Sequence, residues 1–219
     1  MIFNPRKETF DHLDARSKEI MTKTIEFFEA KGKAGLKEDD HERRWYGDFL
    51  EFVKENKVFA TLLTPPEFAG GDKDARWDTY RNCVFNEILG FYGLAYWYTW
   101  QVTILGLGPL WMSPNTAIKE KTGQLLRDGG IFGFGLSEKT HGADLYSSDM
   151  MLTPLGDGQY VADGGKYYIG NGNKAALLST FGKNSDTDEY VWFAVETDHD
   201  NFELVKNIVN SQMYVAEYG

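Results

Sequence analysis

From residue 8 to residue 31, apolar side chains return at helical spacing. Leu13, Ile20 and Phe27 recur every seven residues, with Met21, Ile25 and Phe28 beside them. This pattern predicts an amphipathic helix, closed by a basic last turn and a glycine cap at Lys31-Gly32. A second helix is expected from Asp39-Asp40, which suit an N-cap, with Trp45, Phe49, Phe52 and Val53 turned inward. Residues 64–71, Thr-Pro-Pro-Glu-Phe-Ala-Gly-Gly, break the period and read as a loop. A third helix is predicted from Trp77 to Tyr92, through Tyr80, Val84, Ile88 and Leu89. Leu94 to Leu107 is apolar nearly all round, which predicts a helix buried on most sides. Ser113-Pro114 opens a last helix, serine as cap and proline at the first position, ending at Asp128-Gly129-Gly130.

After residue 130 the period shortens from about 3.6 toward 2. Residues 131–137, 150–155, 159–163, 166–171, 177–181 and 190–196 are short runs rich in β-branched or aromatic residues, separated by Gly and Asp. Gly156-Asp157-Gly158 is a turn, so 150–163 reads as a hairpin. The expected class is α+β: an all-α helical domain over 1–129, then an antiparallel β-sandwich or barrel over 130–219.

With 42% hydrophobic and 15% aromatic residues, the 219-residue chain can fill a core, which excludes intrinsic disorder. Its 33 acidic and 23 basic residues leave a net charge of −10, so no general attraction to nucleic acid is expected. No apolar run reaches the roughly 18 residues of a membrane span, and the first residues lack a secretory apolar stretch. Cys83 is the only cysteine, which excludes a disulfide framework and fits a reducing cytoplasm. His12, His41, His141 and His199 show no metal-ligand spacing.

Several candidates for chemistry are bland on inspection. Gly170-Asn171-Gly172-Asn173-Lys174-Ala175 matches a dinucleotide fingerprint, and Glu189 lies near the spacing of a ribose-binding acid. The flanking elements read as β-strands, however, and 174–181 is too short for a crossover helix, so a glycine-rich turn is favoured. His141 reads as a solvated or capping side chain, Cys83 as a small buried hydrophobe, and Trp97, Trp100 and Trp111 as core. Asp186-Thr187-Asp188-Glu189 is a solvated turn, and no nucleophile elbow occurs. More informative is the strand at Phe132–Leu136 that opens into Ser137-Glu138-Lys139-Thr140-His141-Gly142-Ala143-Asp144, followed some 20 residues later by Gly165-Lys166-Tyr167-Tyr168-Ile169-Gly170-Asn171-Gly172. Glycine amides and an aromatic face meeting at one place would suit a flat, electron-poor ring.

These segments resemble the acyl-CoA dehydrogenase family. Residues 136–144 are similar to its Thr-Glu-Pro-x-Ala-Gly-Ser-Asp signature, and 164–172 to its Gly-x-Lys-x-(Trp/Tyr)-Ile-Thr-Asn-Gly signature. Upstream, Pro65-Pro66-Glu67-Phe68-Ala69-Gly70-Gly71 is similar to its Pro-Glu-(Glu/Tyr)-x-Gly-Gly loop, and Leu105-Gly106-Leu107-Gly108-Pro109 to its Leu-Gly-x-x-Pro helix end. The four occur in order over residues 64–175. The resemblance implies α,β-dehydrogenation of an acyl-CoA thioester, with FAD as cofactor and an electron acceptor such as an electron-transfer flavoprotein. By carry-over, Phe134, Leu136 and Ser137 would offer backbone or hydroxyl hydrogen bonds to the flavin ring. Gly142 and Ala143 would lie near the FAD pyrophosphate and the CoA arm. Tyr168 would cover one flavin face, and Gly170 would sit near flavin N5. Tyr98, Gln101 and Leu105 would border the acyl channel, together with Ala143 on the substrate side. Backbone amides at Gly142 and Gly172 would hold phosphate.

This chain departs from the family at Ser137 (usually Thr), Lys139 (Pro), Ala143 (Ser) and Gly170 (Thr). The lost Ala143 hydroxyl removes a hydrogen bond worth about 0.5–1.5 kcal/mol. The resemblance also implies a C-terminal helical bundle, carrying the catalytic glutamate and much of the usual dimer or tetramer contact, that lies outside these 219 residues. No residue here takes the base position, and the chain is expected to be inactive by itself. Two other readings share the expected fold: a related flavin oxidase or monooxygenase, and a non-catalytic binding or scaffold module.

Overall fold

The computed structural model describes residues 3–210 and 213–218. They form two compact units, Met1–Gln101 with Asn115–Gly130, and Val102–Pro114 with Ile131–Gly219.

The first unit is helical. Its elements are α1 (Ala15–His41), α2 (Gly47–Glu55), α3 (Val58–Leu63), α4 (Thr79–Tyr92), the start of α5 (Leu94–Met112), and α6 (Thr116–Arg127). Asp14 caps α1 by accepting from the Ser17 N–H at 2.9 Å. The expected stop at Gly32 is an interruption: Gly32 is left-handed (φ 68°), and helical turns resume after it. Asp39 and Asp40 therefore lie near the end of α1, and α2 starts only after Tyr46. Asn115, not Ser113, caps α6, because its Oδ1 reaches the Ile118 N–H at 3.3 Å. Ile20, Met21, Phe28, Phe49, Phe59, Phe85, Ile88 and Trp100 are all 1% exposed or less and form the core. Trp100 meets Phe85 edge-on at 4.7 Å, as its core reading requires. Cys83, expected to be buried, is exposed on α4.

Arg81 is fully buried in this unit. It donates to Ser17 Oγ at 3.2 Å and to the carbonyls of Asp74, Thr61 and Arg76. Burial, with Arg76 nearby, pulls its pKa down to about 10. A chain turn rich in orphan carbonyls is thereby satisfied from one side chain.

The second unit is built on β1 (Phe132–Gly135), β2 (Met151–Gly156), β3 (Gln159–Asp163), β4 (Lys166–Gly170), β5 (Leu177–Asn184), β6 (Tyr190–Glu196), β7 (Leu204–Asn210) and β8 (Met213–Tyr218). β7 and β8 carried no signal in the sequence reading. One sheet is centred on β5 and the other runs β4-β8-β7. β6 pairs antiparallel with β5 over residues 177–183. On the other edge, β1 pairs with 177–180 and β2 with 183–184, both parallel. The antiparallel expectation holds for the β2–β3, β5–β6, β4–β8 and β7–β8 pairs and is amended at these two. The physical reason is the long loop after β1, which lets the chain return to the same edge of β5 in the same direction. The α+β class, helices first and strands after, stands as read.

The last turns of α5 extend past Leu107, through Pro109, to Met112. They pack on β1 within the second unit. A Cβ on Gly106 would sit 2.6 Å from the Gly133 carbonyl oxygen, so only glycine fits there. Ser179 Oγ donates to the Gly106 carbonyl at 2.5 Å, and the Phe132 N–H to Thr103 Oγ at 3.4 Å. Among the described residues, no helix is long and apolar enough to cross a membrane.

Candidate functional site

The two signatures singled out in the sequence meet in the second unit. β1 ends at Gly135 and the chain enters the loop through Leu136 and Ser137. There it runs beside β4. The Tyr167 N–H donates to the Ser137 carbonyl at 2.9 Å, and Ser137 Oγ donates to the Tyr167 carbonyl at 2.8 Å. This reciprocal pair fixes one loop against the other strand. Ser137 keeps its hydroxyl lone pairs, and its own N–H has no partner among the described residues. Tyr168, next along β4, is 43% exposed and left-handed, with φ 65°. Gly170 is buried at the end of the strand.

Beneath this junction lies an ion pair that sequence reading passed over. Lys166 is wholly buried and Glu138 is 8% exposed, with Lys166 Nζ 2.6 Å from Glu138 Oε1. Lys166 also donates to the Leu136 carbonyl at 3.1 Å. Glu138 accepts in addition from Ser148 Oγ (2.5 Å), the Asp149 N–H (2.7 Å) and the Met150 N–H (3.2 Å). One carboxylate thus ties the loop after β1 to the start of β2, and one ammonium ties both to β4. The Lys166 ammonium and the donors around it hold Glu138 below the usual carboxylate range, against desolvation. Burial pulls Lys166 down, opposed by Glu138. Strict alternation does not reveal it, because it groups Lys166 with Tyr168, whereas the register shifts between Lys166 and Ile169 and Lys166 is wholly buried while Tyr168 is exposed; a buried lysine then needs a carboxylate.

Asn171 closes β4. It is left-handed (φ 58°) and buried, and its Nδ2 donates to the Phe132 carbonyl at 2.9 Å and to Thr103 Oγ at 3.3 Å. The Lys174 and Ala175 amides return to the Asn171 carbonyl, so Gly170–Ala175 is a tight turn between strands, as expected over a dinucleotide loop.

The other candidates are placed less centrally. Phe134 is half-buried, stacks on Trp192 at 4.7 Å, and accepts at its carbonyl from the Leu136 N–H at 3.2 Å. The Leu136 carbonyl is taken by Lys166. Gly142 and Ala143 are exposed, and the Gly142 N–H already donates to Asp144 Oδ1 at 2.9 Å. The Gly172 N–H goes to the Ile169 carbonyl at 3.2 Å. His141 bridges Asp144 at 2.8 Å and Asp149 at 3.2 Å, and the Asp144 hydrogen bond raises its pKa. Glu138, His141 and Asp149 bring ligand-type atoms within 4.8 Å of one another, but Glu138 is already saturated by four donors. Tyr98 and Gln101 are half-buried on α5 in the first unit, and Leu105 is 39% exposed on the part of α5 that groups with the second. Spacings of three and four put them on one face of that helix.

These residues fit a flavin ring in part. An exposed aromatic face at Tyr168 and an unpaired donor at Ser137 suit a ring's face and edge, whereas the amides of Gly142 and Gly172 are spent within the chain.

This two-part architecture defines the class of fold: the N-terminal helical and middle β domains of acyl-CoA dehydrogenases. No family model matches the chain. It is 32% identical over 114 residues to the short-chain specific acyl-CoA dehydrogenase of Megasphaera elsdenii, which covers 51% of this chain and 30% of that protein. The structure of butyryl-CoA dehydrogenase from Megasphaera elsdenii superposes with a TM-score of 0.81 at 22% identity, covering 100% of this chain and 56% of the other. A glutaryl-CoA dehydrogenase from Mycobacterium smegmatis, solved in complex with FADH2, gives a TM-score of 0.73 at 18% identity, covering 94% and 52%. The chain therefore spans about half the length of these solved structures and less than a third of the curated relative.

Proposed function

We propose that this chain supplies the N-terminal helical and middle β domains of an FAD-dependent oxidoreductase of the acyl-CoA dehydrogenase family, acting on an acyl-CoA thioester. The observation that carries the reading is the junction of the two signatures at Ser137 and Tyr167, in the fold that acyl-CoA dehydrogenases share. The bound flavin would supply the redox chemistry by accepting a hydride from the substrate β-carbon. The chain's own residues would bind and orient. Ser137 N–H would donate to the ring edge, Tyr168 would cover one face and shed water from it, and the Glu138–Lys166 pair would hold both in register. The base that takes the α-proton is assigned to no residue here, which agrees with a chain spanning about half its solved relatives. An electron-transfer flavoprotein is the proposed acceptor, a homodimer or homotetramer the proposed assembly, and the cytoplasm the proposed location.

The test is a fluorescence titration of the chain with FAD, followed by anaerobic addition of short-chain acyl-CoA to the longest natural form of the protein. Saturable quenching weakened by Tyr168→Ala, then bleaching of the flavin, is expected. Absence of saturable FAD binding in both forms refutes the reading. Rapid reoxidation by oxygen alone would instead identify a flavin oxidase.

A further inference from the structure

The first unit contains a cleft of about 520 Å³ between the start of α1, the α2–α3 junction and the glycine loop after α3. Arg16, Lys57, Lys73 and Arg127 line it, with Asp72 and Asp74. Four cations against two carboxylates reverses the balance of a chain with 23 basic and 33 acidic residues. The Asp72 carboxylate is also engaged elsewhere. Asp72 Oδ2 accepts from Thr61 Oγ at 2.9 Å, and its Oδ1 from the Asp74 N–H at 3.0 Å. Arg16 pairs with Glu19 at 2.8 Å. Lys57, Lys73 and Arg127 have no carboxylate partner among the described residues.

Two of these cations are held in place by the backbone. Arg127 donates to the Phe68 carbonyl at 2.6 Å and to Gln124 Oε1 at 2.7 Å. Its guanidinium lies so close to Gly70 that a Cβ there would come within 2.9 Å of Cζ. Gly70 is itself left-handed, at φ 62°. Lys57 sits at the start of α3 in the left-handed region, φ 52°, where glycine would relieve the strain. Its side chain lines the cleft all the same. Cations in excess over the two carboxylates are unfavourable in the empty cleft and favourable around a dianion. A planar guanidinium beside two ammonium groups suits the oxygens of a phosphate better than those of a single carboxylate.

We propose that this cleft is a binding site for a small phosphate-bearing molecule, with Lys57, Lys73 and Arg127 as its ligands. It rests on none of the flavin residues, so it stands or falls separately from the function proposed above.

The test is calorimetric titration of the chain with inorganic phosphate, glycerol 1-phosphate and acetate at one ionic strength. Saturable binding of a phosphate compound is expected, with at least a tenfold loss in Lys57→Gly and in Lys73→Gln. Lys57→Gly is the decisive variant, because relief of its left-handed backbone keeps the Tm from falling while the affinity drops. Tighter binding of glycerol 1-phosphate than of phosphate marks a phosphomonoester as the ligand, and the reverse marks free phosphate; either supports the site. No saturable binding at millimolar phosphate, equal binding of acetate, or unchanged affinity in both variants overturns the proposal.

Discussion

Removing Glu138 probes the junction that brings the two signatures together. In Glu138→Ala the Lys166 ammonium, wholly buried, keeps the Leu136 carbonyl and Ser148 Oγ as hydrogen-bond partners, beside the face of Phe181. The Asp149 and Met150 amides lose their acceptor as well. Breaking a buried pair from one side typically costs about 3–5 kcal/mol, and this variant is expected to fall in that range. Lys166→Met is milder, because Glu138 retains Ser148 Oγ and two backbone amides. About 1.5–3 kcal/mol, the worth of a hydrogen bond to a charged group, is expected there. The double variant Glu138→Ala/Lys166→Met should cost less than the sum of its singles, since each single strands what the other removes. Urea unfolding followed by circular dichroism measures all four corners of the cycle. The sign with pH is also fixed. Folding lowers the Glu138 pKa, so its share of stability is present above the ordinary carboxylate range and lost as pH falls through the depressed value. Glu138→Gln should flatten that acid limb. A loss below about 1 kcal/mol in Glu138→Ala, or strictly additive singles, would refute this account of the pair.

Three further outcomes follow from the same geometry. Gly106→Ala forces a Cβ onto the Gly133 carbonyl oxygen, 2.6 Å away, and should cost at least about 1–3 kcal/mol by urea unfolding. Asn171→Gly keeps the left-handed turn but strands the Phe132 carbonyl. It should lose about 1–3 kcal/mol, and Asn171→Ala more, because alanine adds backbone strain. By NMR titration, His141 should lose its proton above the ordinary imidazole range, so that its bridge to Asp144 is present at low pH and fades as pH rises through the raised value. Asp144→Asn should bring that value down; an unchanged midpoint would show that the Asp144 contact does not set it.

Periodicity made the helices of the first unit legible, because their apolar faces are continuous: Ile20, Met21 and Phe28 are buried where the pattern puts them. Helix ends were less legible. Gly32 reads the same as a cap or as an interruption, and only the turns that follow decide between them. In the second unit alternation located the strands but not their partners. Parallel pairing of β1 and β2 with β5 depends on the path of the intervening loop, which no local pattern encodes. At the candidate site the two signatures meet at Ser137 and Tyr167, and the Gly142 and Gly172 amides donate within the chain, which chemical type alone does not show. Whether an amide is free depends on a neighbour such as Asp144, and that is a property of the folded loop. Conversely, the sequence assigned no role to Lys166 and Glu138, and burial makes them a brace.

Helix α5 divides between the two compact units at Gln101 and Val102, although its backbone is unbroken. Thr103 and Gly106 serve the second unit, hydrogen-bonded to Phe132, Asn171 and Ser179. A gene fragment beginning at residue 131 would therefore encode strands deprived of their own packing partner, and one ending at residue 130 would carry that partner away. The two halves of this polypeptide are separable in space but interleaved in the message. A recombination or cloning event that treats them as interchangeable cassettes must cut inside a helix.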